Sequence, residues 1–311
     1  MTLRPADDPR ASRPGSPGDD GAAATHDAGV PGPGVAAPLF TAHLEESLDL
    51  ALRELAAQGR ILVALDFDGV LAPIVLDPTT SRMLPVSAQA VAGLTQLPGV
   101  EVVLVSGREA GDLVALAGVP AGTRVIGSHG AQWGRVADSP DGGTTLEAEP
   151  VELTDEQTRL KAEVLRETEA LAAQVEGAWV QVKPAAVVLH TRPAEREAGE
   201  RLTERTLAGP ASRAGVHVVV GKEVVEIAVL EVTKGDALVQ LRSALGADAV
   251  LYAGDDTTDE DAFVVLGEGD VSVKVGDGDT AAAYRVADPD EFSAVLVRLV
   301  ELRQGTHDSH P

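Results

Sequence analysis

Two acidic segments of the sequence each follow an apolar run. Asp66 and Asp68 come directly after the apolar residues 61–65, and side chains two residues apart on an extended chain point to the same side. The second segment, 255–261, contains five acids in seven residues and follows the largely apolar residues 249–253. Oxygen ligands of this kind favour Mg²⁺ over zinc or copper. The two segments therefore predict a site for a hard cation, with carboxylates that could serve as nucleophile and general acid.

Two further segments could hold a phosphate group. Ser106, Gly107 and Arg108 end another apolar run and open a predicted helix, where a hydroxyl and free backbone N–H groups can bind an anion. Lys234 stands before a second predicted helix and could meet a phosphate as a point charge. We expect all four segments at the ends of four parallel strands, because open α/β sheets bind ligands at that edge.

The four segments together match metal-assisted phosphoryl transfer to a carboxylate. In this interpretation Asp66 attacks phosphorus, Asp68 protonates the leaving oxygen and then accepts a proton from water, and Lys234 neutralises phosphoryl charge. Taken singly, each segment also has a structural interpretation: a solvated turn, acids that complement a helix N-terminus, an ordinary Ser-Gly turn, or a surface lysine. The combination favours catalysis.

The elements that must position these residues alternate between strands and helices. Apolar runs are typical of parallel strands that are buried on both faces. Continuous or largely apolar stretches occur at 61–65, 100–105, 125–126, 249–253 and 271–275. Helical patterns stand before and between them. This alternation predicts an α/β fold with a Rossmann-like parallel-sheet core.

A different pattern interrupts this core. Thr154 and Gln157 form a capping box that opens a long helix. Two short strands hinged at 183–184, a second helix and a hairpin that turns at 221–222 follow, which together predict a small α+β domain. We therefore divide the chain into a core of residues 41–136 and 230–303 and an inserted domain of residues 137–229.

Composition limits the classes of partner. The 311 residues carry 49 acids, 25 bases and no cysteine, for a net charge of −24. This balance argues against binding to nucleic acid or to an anionic membrane surface, and the lack of cysteine excludes disulfides. Residues 1–40, rich in Pro, Gly and Ala, are expected to be disordered, and residues 304–311 are expected to form a loose C-terminus. We expect a cytoplasmic protein.

The chain resembles the haloacid dehalogenase-like phosphatases, whose four motif segments occur here in the same order. Further segments resemble the trehalose-6-phosphate phosphatase family within this superfamily. They are LDFDGVLAP at 65–73, GSHG at 127–130, the stretch 183–192 with its His and Arg, the stretch 221–226, and DDTTDEDAF at 255–263. The resemblance covers about residues 41–300.

The resemblance implies roles for single residues. Asp66 would be the nucleophile and Asp68 the acid/base, with Ser106 and Lys234 completing the catalytic set. Mg²⁺ would be bound by Asp66, the backbone carbonyl of Asp68 and Asp255, with Asp256 and Asp259 supporting these ligands. The inserted domain would close over the sugar as a cap, and the implied substrate contacts are Gly107, Arg108, His129, Lys183, His190, Arg192, Lys222 and Glu226. The implied reaction links the protein functionally to a trehalose-6-phosphate synthase.

Four residues depart from the pattern of the family, and most of them lie on the sugar side. They are Val70, Gln132, Thr191 and Ala228, which stand where Thr, an acid, Tyr and a base are usual. The leading hypothesis is hydrolysis of trehalose 6-phosphate to trehalose and phosphate. The alternatives are a phosphatase of another sugar phosphate or of a glycosyl-phosphoglycerate, and a catalytically silent protein that binds a sugar phosphate.

Overall fold

The computed structural model describes residues 44–308 of the chain. The predicted disordered segment 1–40 lies outside the described residues. Within 44–308, no helix combines the length and the apolar character that crossing a membrane requires.

Twelve strands and eight α-helices make up the described part of the chain. The strands are β1 (Ile61–Leu65), β2 (Val100–Val105), β3 (Arg124–Gly127), β4 (Gln132–Asp138), β5 (Thr144–Ala148), β6 (Trp179–Val182), β7 (Ala186–His190), β8 (His217–Gly221), β9 (Val224–Ala228), β10 (Ala249–Gly254), β11 (Val271–Val275) and β12 (Tyr284–Val286). The helices are α1 (Glu46–Ala56), α2 (Pro85–Thr95), α3 (Ala110–Ala117), α4 (Asp155–Ala172), α5 (Arg196–Ala208), α6 (Lys234–Leu245), α7 (Glu260–Phe263) and α8 (Pro289–Asp308).

Eight strands form the larger sheet, in the order β12-β11-β10-β1-β2-β3-β4-β5. The pairings from β12 to β3 are all parallel, whereas β4 and β5 are antiparallel. Helices α1, α2 and α8 pack on one face of this sheet and α6 and α7 on the other. This arrangement confirms the predicted α/β fold with a parallel core.

The register of the central strands brings the predicted catalytic segments to one edge. Leu65 at the end of β1 pairs with Ala253 of β10 and Leu104 of β2, and the Asp66 N–H donates to the Ala253 carbonyl at 3.0 Å. All five residues of β1 are buried, so the strand has no freedom to slip without exposing apolar side chains. The segments that follow β1, β2 and β10 therefore emerge side by side.

A second, smaller sheet has the order β6-β7-β9-β8 and is antiparallel throughout. Helices α4 and α5 pack on one of its faces around Val187, Leu189 and Ile227. The capping box at the start of α4 is present, with the Gln157 N–H donating to Thr154 Oγ at 3.2 Å. The order of helix, hairpin, helix and hairpin is the predicted one.

Two predictions about the limits of these elements and one about the position of Lys234 were wrong. The predicted boundary at 137 falls inside β4, which with β5 extends the larger sheet to Ala148 because Val136 is buried in its core. Residues 304–308 continue α8 rather than forming a loose end, since the buried Arg303 anchors this helix through bonds to the carbonyls of Ala56, Gln58 and Pro98. Lys234 does not follow a parallel strand. It begins α6 after β9 of the smaller sheet. The division into two domains stays a prediction.

Candidate active site

Three aspartates converge at the carboxyl edge of the larger sheet. Asp66, Asp255 and Asp259 each offer a carboxylate oxygen, and these oxygens lie within 4.8 Å of one another. The Asp255 carboxylate rests against Gly69, where an added Cβ would lie 2.0 Å from its Oδ2. Gly69 also has a φ of +79°, which side chains disfavour. The turn after β1 therefore requires glycine for both its conformation and its contact with Asp255.

Lys234 binds two of these aspartates, and Asp259 is held by further hydrogen bonds. The buried Lys234 Nζ donates to Asp66 Oδ1 at 3.0 Å and to Asp259 Oδ1 at 2.7 Å. Asp259 Oδ1 also accepts from the Tyr252 hydroxyl at 2.6 Å, and its Oδ2 accepts from the backbone N–H groups of Asp255 and Asp256. Both Asp259 oxygens are thus engaged by the protein, so Asp259 shapes the loop and leaves Asp66 and Asp255 to face a ligand.

Burial and mutual repulsion perturb the acids. Burial raises the pKa of Asp66 well above its usual value, with Lys234 opposing the rise. Burial and the nearby Asp259 raise the pKa of Asp255 to about 6. Lys234 keeps a pKa above its usual value although burial acts to lower it, because Asp66 and Asp259 flank it. An oxygen-only donor set that carries excess negative charge fits a hard divalent cation, and Asp66 and Asp255 could hold one.

Asp68, the next acid along the chain, is held by two partners. Arg108 donates from Nε to Asp68 Oδ2 at 2.5 Å and from Nη2 to Asp68 Oδ1 at 2.8 Å. The Ser81 hydroxyl donates to Asp68 Oδ1 at 2.9 Å. Ser106 is buried, and its Oγ accepts from the Arg108 N–H at 3.2 Å. A bidentate guanidinium fixes the plane of a carboxylate, so Arg108 orients Asp68 at the mouth of the site.

Predicted substrate residues of the smaller sheet contact the larger one. Lys183 Nζ donates to Glu226 Oε2 at 2.7 Å and to the Gly107 carbonyl at 2.9 Å. Both charged side chains are almost fully buried. His129 Nε2 lies 3.9 Å from Glu226 Oε2, and its ring packs on Gly107, where an added Cβ would lie 2.4 Å from Cε1. Lys183, Glu226 and His129 thus form one polar cluster against the segment that follows β2.

The backbone around His129 is strained. His129 has a φ of +56° and Ser128 a φ of +49°, a conformation that side chains other than glycine seldom adopt. Gln132 Oε1 stabilises this turn by accepting from the Ala110 N–H and the Ser128 hydroxyl, both at 3.0 Å. Burial lowers the pKa of His129. Gln132, one of the departures from the family pattern, is therefore engaged in holding the turn that presents His129.

Within residues 44–308, His190, Arg192 and Lys222 form no hydrogen bond with the aspartate cluster, whereas the backbone N–H of Asp256 donates to Asp259 Oδ2 at 3.0 Å. His190 stacks on Trp179. Arg192 is exposed and donates to the Leu76 carbonyl at 3.0 Å, and Lys222 lies exposed in the turn between β8 and β9. Asp256 is exposed and its carboxylate accepts from the Thr257 N–H at 2.7 Å. Their predicted roles stay predictions.

Three residues at the site were not predicted, and one of them is Ser81, whose hydroxyl binds Asp68. Tyr252 in β10 is fully buried and binds Asp259. Lys274 in β11 is buried, and its Nζ donates to the backbone carbonyl of Asp255. A lysine inside a buried strand is a signal that the sequence contains, because a buried charge needs a partner. Tyr252 carries no comparable signal, since a tyrosine in a strand is common.

We expect Asp255 to make stability fall with rising pH when divalent ions are absent. A carboxyl whose pKa is higher in the folded protein binds more protons when folded, so its contribution declines as the pH rises from 3.8 towards about 6. Asp255→Asn removes this contribution. The measurement is urea unfolding in EDTA between about pH 4.5 and about pH 7.5. The free energy of unfolding of the variant, minus that of wild type, should increase with pH. A difference that is constant over this range contradicts the expectation, and Asp141→Asn in the exposed turn between β4 and β5 is the control.

Known proteins resemble this chain over most of its length. A model of the trehalose-phosphatase family matches residues 64–290. Trehalose-phosphate phosphatase of Mycobacterium marinum is 33% identical over 260 residues, which is 77% of this chain and 61% of that protein. The bifunctional trehalose-6-phosphate synthase/phosphatase of Thermoproteus tenax is 31% identical over 83% of this chain. This chain spans only 34% of that longer protein.

A solved structure shares the fold. The C-terminal domain of trehalose-6-phosphate phosphatase from C. albicans superposes with a TM-score of 0.64 at 21% identity, covering 82% of this chain and 97% of that one. The match of the family model to most of the chain confirms the resemblance predicted from the motifs. The chain belongs to the trehalose-phosphatase family.

Proposed function

We propose that this protein is a Mg²⁺-dependent phosphatase that hydrolyses trehalose 6-phosphate to trehalose and phosphate through an aspartyl-phosphate intermediate. The observation that carries the proposal is the placement of a buried Asp66 carboxylate 3.0 Å from the Lys234 ammonium and beside the Asp255 carboxylate. A nucleophile, a phosphate-binding cation and a metal ligand then share one edge of the sheet. Family membership supports the choice of substrate.

In the first step an Asp66 oxygen attacks phosphorus, and the bond between phosphorus and the sugar oxygen breaks. Asp68 gives a proton to that oxygen as it leaves. Lys234 already touches Asp66, so its ammonium can contact the phosphoryl oxygens that approach the same atom. The Ser106 hydroxyl at the end of β2 would donate to another phosphoryl oxygen. Such contacts stabilise the charge of the transition state.

In the second step water attacks phosphorus and the aspartyl ester breaks, which releases phosphate and restores Asp66. Asp68 accepts the proton of that water, so one carboxyl serves as acid and then as base. Arg108 and Ser81 donate to both Asp68 oxygens in this structure, so one of these bonds must open before Asp68 carries the proton that it transfers. Arg108 has five N–H donors, which leaves some of them for a phosphoryl oxygen of the substrate.

Asp66, Asp255 and the backbone carbonyl of Asp68 would hold Mg²⁺. When bound, this ion supplies positive charge that offsets the repulsion between the carboxylates and the incoming phosphate. The fit of these residues to a divalent cation rests on the excess of acids at the site. Burial and the neighbouring carboxylates raise the pKa values of Asp66 and Asp255.

Residues of the smaller sheet, together with His129, would bind the sugar. Lys183, Glu226 and His129 lie together above Gly107, and they offer hydrogen-bond donors and acceptors to sugar hydroxyls. The name of the T. tenax relative supports a functional link to a trehalose-6-phosphate synthase. A cytoplasmic location stays a prediction.

A panel of phosphate esters tests the substrate. Phosphate release should be measured for trehalose 6-phosphate, glucose 6-phosphate, sucrose 6-phosphate and a glucosyl-phosphoglycerate. We expect kcat/KM for trehalose 6-phosphate to exceed each of the others by about tenfold or more, because a site built to bind several hydroxyls rejects analogues that lack them. A preference for another ester by the same factor would overturn the substrate assignment while leaving the chemistry intact.

Replacing the nucleophile tests the chemistry. Asp66→Asn should lower kcat by about 10³-fold or more, because an amide oxygen is a poor nucleophile towards phosphorus. The matched control is Asp141→Asn in the exposed turn between β4 and β5, which should retain wild-type activity. If wild type and Asp66→Asn release phosphate at the same slow rate in Mg²⁺, the protein binds a sugar phosphate without hydrolysing it.

Removal of divalent ions tests the metal. EDTA should abolish phosphate release and added Mg²⁺ should restore it. Asp259→Asn should raise the Mg²⁺ concentration for half-maximal activity by about 10- to 100-fold, the usual effect of losing a residue that orients metal ligands. The exposed Asp279→Asn serves as the control for charge alone. Full activity in EDTA would refute the role of the ion.

A further inference from the structure

A hydrogen bond joins the smaller sheet to the loop that follows β2, outside the residues discussed above. Gln181 Nε2 in β6 donates to Glu109 Oε1 at 2.8 Å. Glu109 comes directly after Arg108 and precedes α3, yet its side chain makes no capping bond to that helix. Its carboxylate instead reaches across to the smaller sheet. Both side chains are half-buried, so solvent only partly screens the contact.

The other end of Gln181 holds His190. Gln181 Oε1 lies 3.1 Å from His190 Nε2. The imidazole also stacks on Trp179, with ring centroids 4.0 Å apart and planes 9° from parallel. The pairing of β6 with β7 sets Trp179 opposite His190, which places the two rings on one face of the sheet. One contact fixes the plane of the imidazole and the other fixes its rotation in that plane.

The chemistry of the partners determines the tautomer of His190. A carboxylate only accepts hydrogen bonds, so the amide nitrogen of Gln181 must face Glu109. The amide oxygen of Gln181 then faces His190, and His190 Nε2 must carry the hydrogen. Burial, with Lys183 nearby, lowers the pKa of His190, so the ring is neutral near pH 7. A neutral ring protonated at Nε2 leaves Nδ1 as a hydrogen-bond acceptor.

We propose that Glu109 and Gln181 are positioning residues that set the tautomer of His190 when the smaller sheet rests on the larger one. His190 Nδ1 is thereby presented as an acceptor to a hydroxyl of the bound sugar. The chain of hydrogen bonds from Glu109 through Gln181 to His190 begins one residue after the phosphate-binding segment 106–108. Contact between the two sheets therefore affects which sugar His190 can bind. The sugar contact rests on the proposed function, whereas the tautomer does not.

The tautomer can be measured on the full chain without substrate. Nitrogen-15 NMR of the histidine rings should show His190 protonated at Nε2 in the wild type. Gln181→Leu should produce a mixture of tautomers, because the acceptor is lost. The control Val182→Thr changes the exposed neighbouring residue on the opposite face of β6 and should leave the signal unchanged. A fraction of Nε2-protonated ring that is the same in Gln181→Leu as in wild type overturns the proposal, whatever the activity of the enzyme.

Kinetics then test whether this chain of hydrogen bonds acts through His190. Gln181→Glu places a second carboxylate against that of Glu109, and the two repel each other. This variant should raise KM for the preferred ester by about tenfold with kcat little changed. Glu109→Gln combined with Gln181→Glu restores a donor facing an acceptor and should return KM to within about threefold of wild type. In a His190→Ala background, Gln181→Leu should have no further effect on KM. An equal effect of Gln181→Leu with and without His190 would show that Gln181 only holds the sheets together.

Discussion

The site depends on one buried cation that lies between two buried carboxylates. Lys234 could not be buried without partners, because removing an ammonium from water costs several kcal/mol, and Asp66 and Asp259 supply that compensation. The same contacts join three distant parts of the chain: the end of β1, the loop after β10 and the start of α6. Removing Lys234 would leave the buried Asp66 and Asp259 without their cation, so the geometry of the candidate site and the stability of the fold share this interaction.

The charges of this network do not balance, because negative charge is in excess. Three carboxylates surround one ammonium, since Lys274 binds the backbone carbonyl of Asp255 rather than a carboxylate. Asp259 is satisfied by its four hydrogen bonds, and the remaining repulsion therefore falls on Asp66 and Asp255. Burial first, and this repulsion in addition, raise the pKa values of these two acids. In the proposed mechanism a divalent cation would complete the balance and favour an ionised Asp66 carboxylate, so metal binding and preparation of the nucleophile would be one requirement.

Local signals predicted the parts of the site that lie next to buried strands. Asp66 and Asp255 could be located because each directly follows an apolar run whose end the parallel sheet brings to one edge. The bond between Gln181 and Glu109 spans 72 residues and depends on how one sheet rests on the other, which no local pattern encodes. β5 was missed because four of its five residues are exposed. The end of α8 was missed for a related reason, since its anchor Arg303 binds carbonyls far away in sequence.

The face of the smaller sheet that would read the substrate is also the face that contacts the larger sheet. Lys183 uses two of its three N–H donors on Glu226 and the Gly107 carbonyl, so a sugar that needs more than the one remaining donor must replace a bond that the protein already makes. Affinity then measures only the difference between the bonds gained and the bonds lost. A ligand with too few hydroxyls in the right places would leave Lys183 or Glu226 buried without a partner, at a cost larger than any apolar contact could return. Selectivity at this site therefore follows from the pairing that the protein already makes with itself.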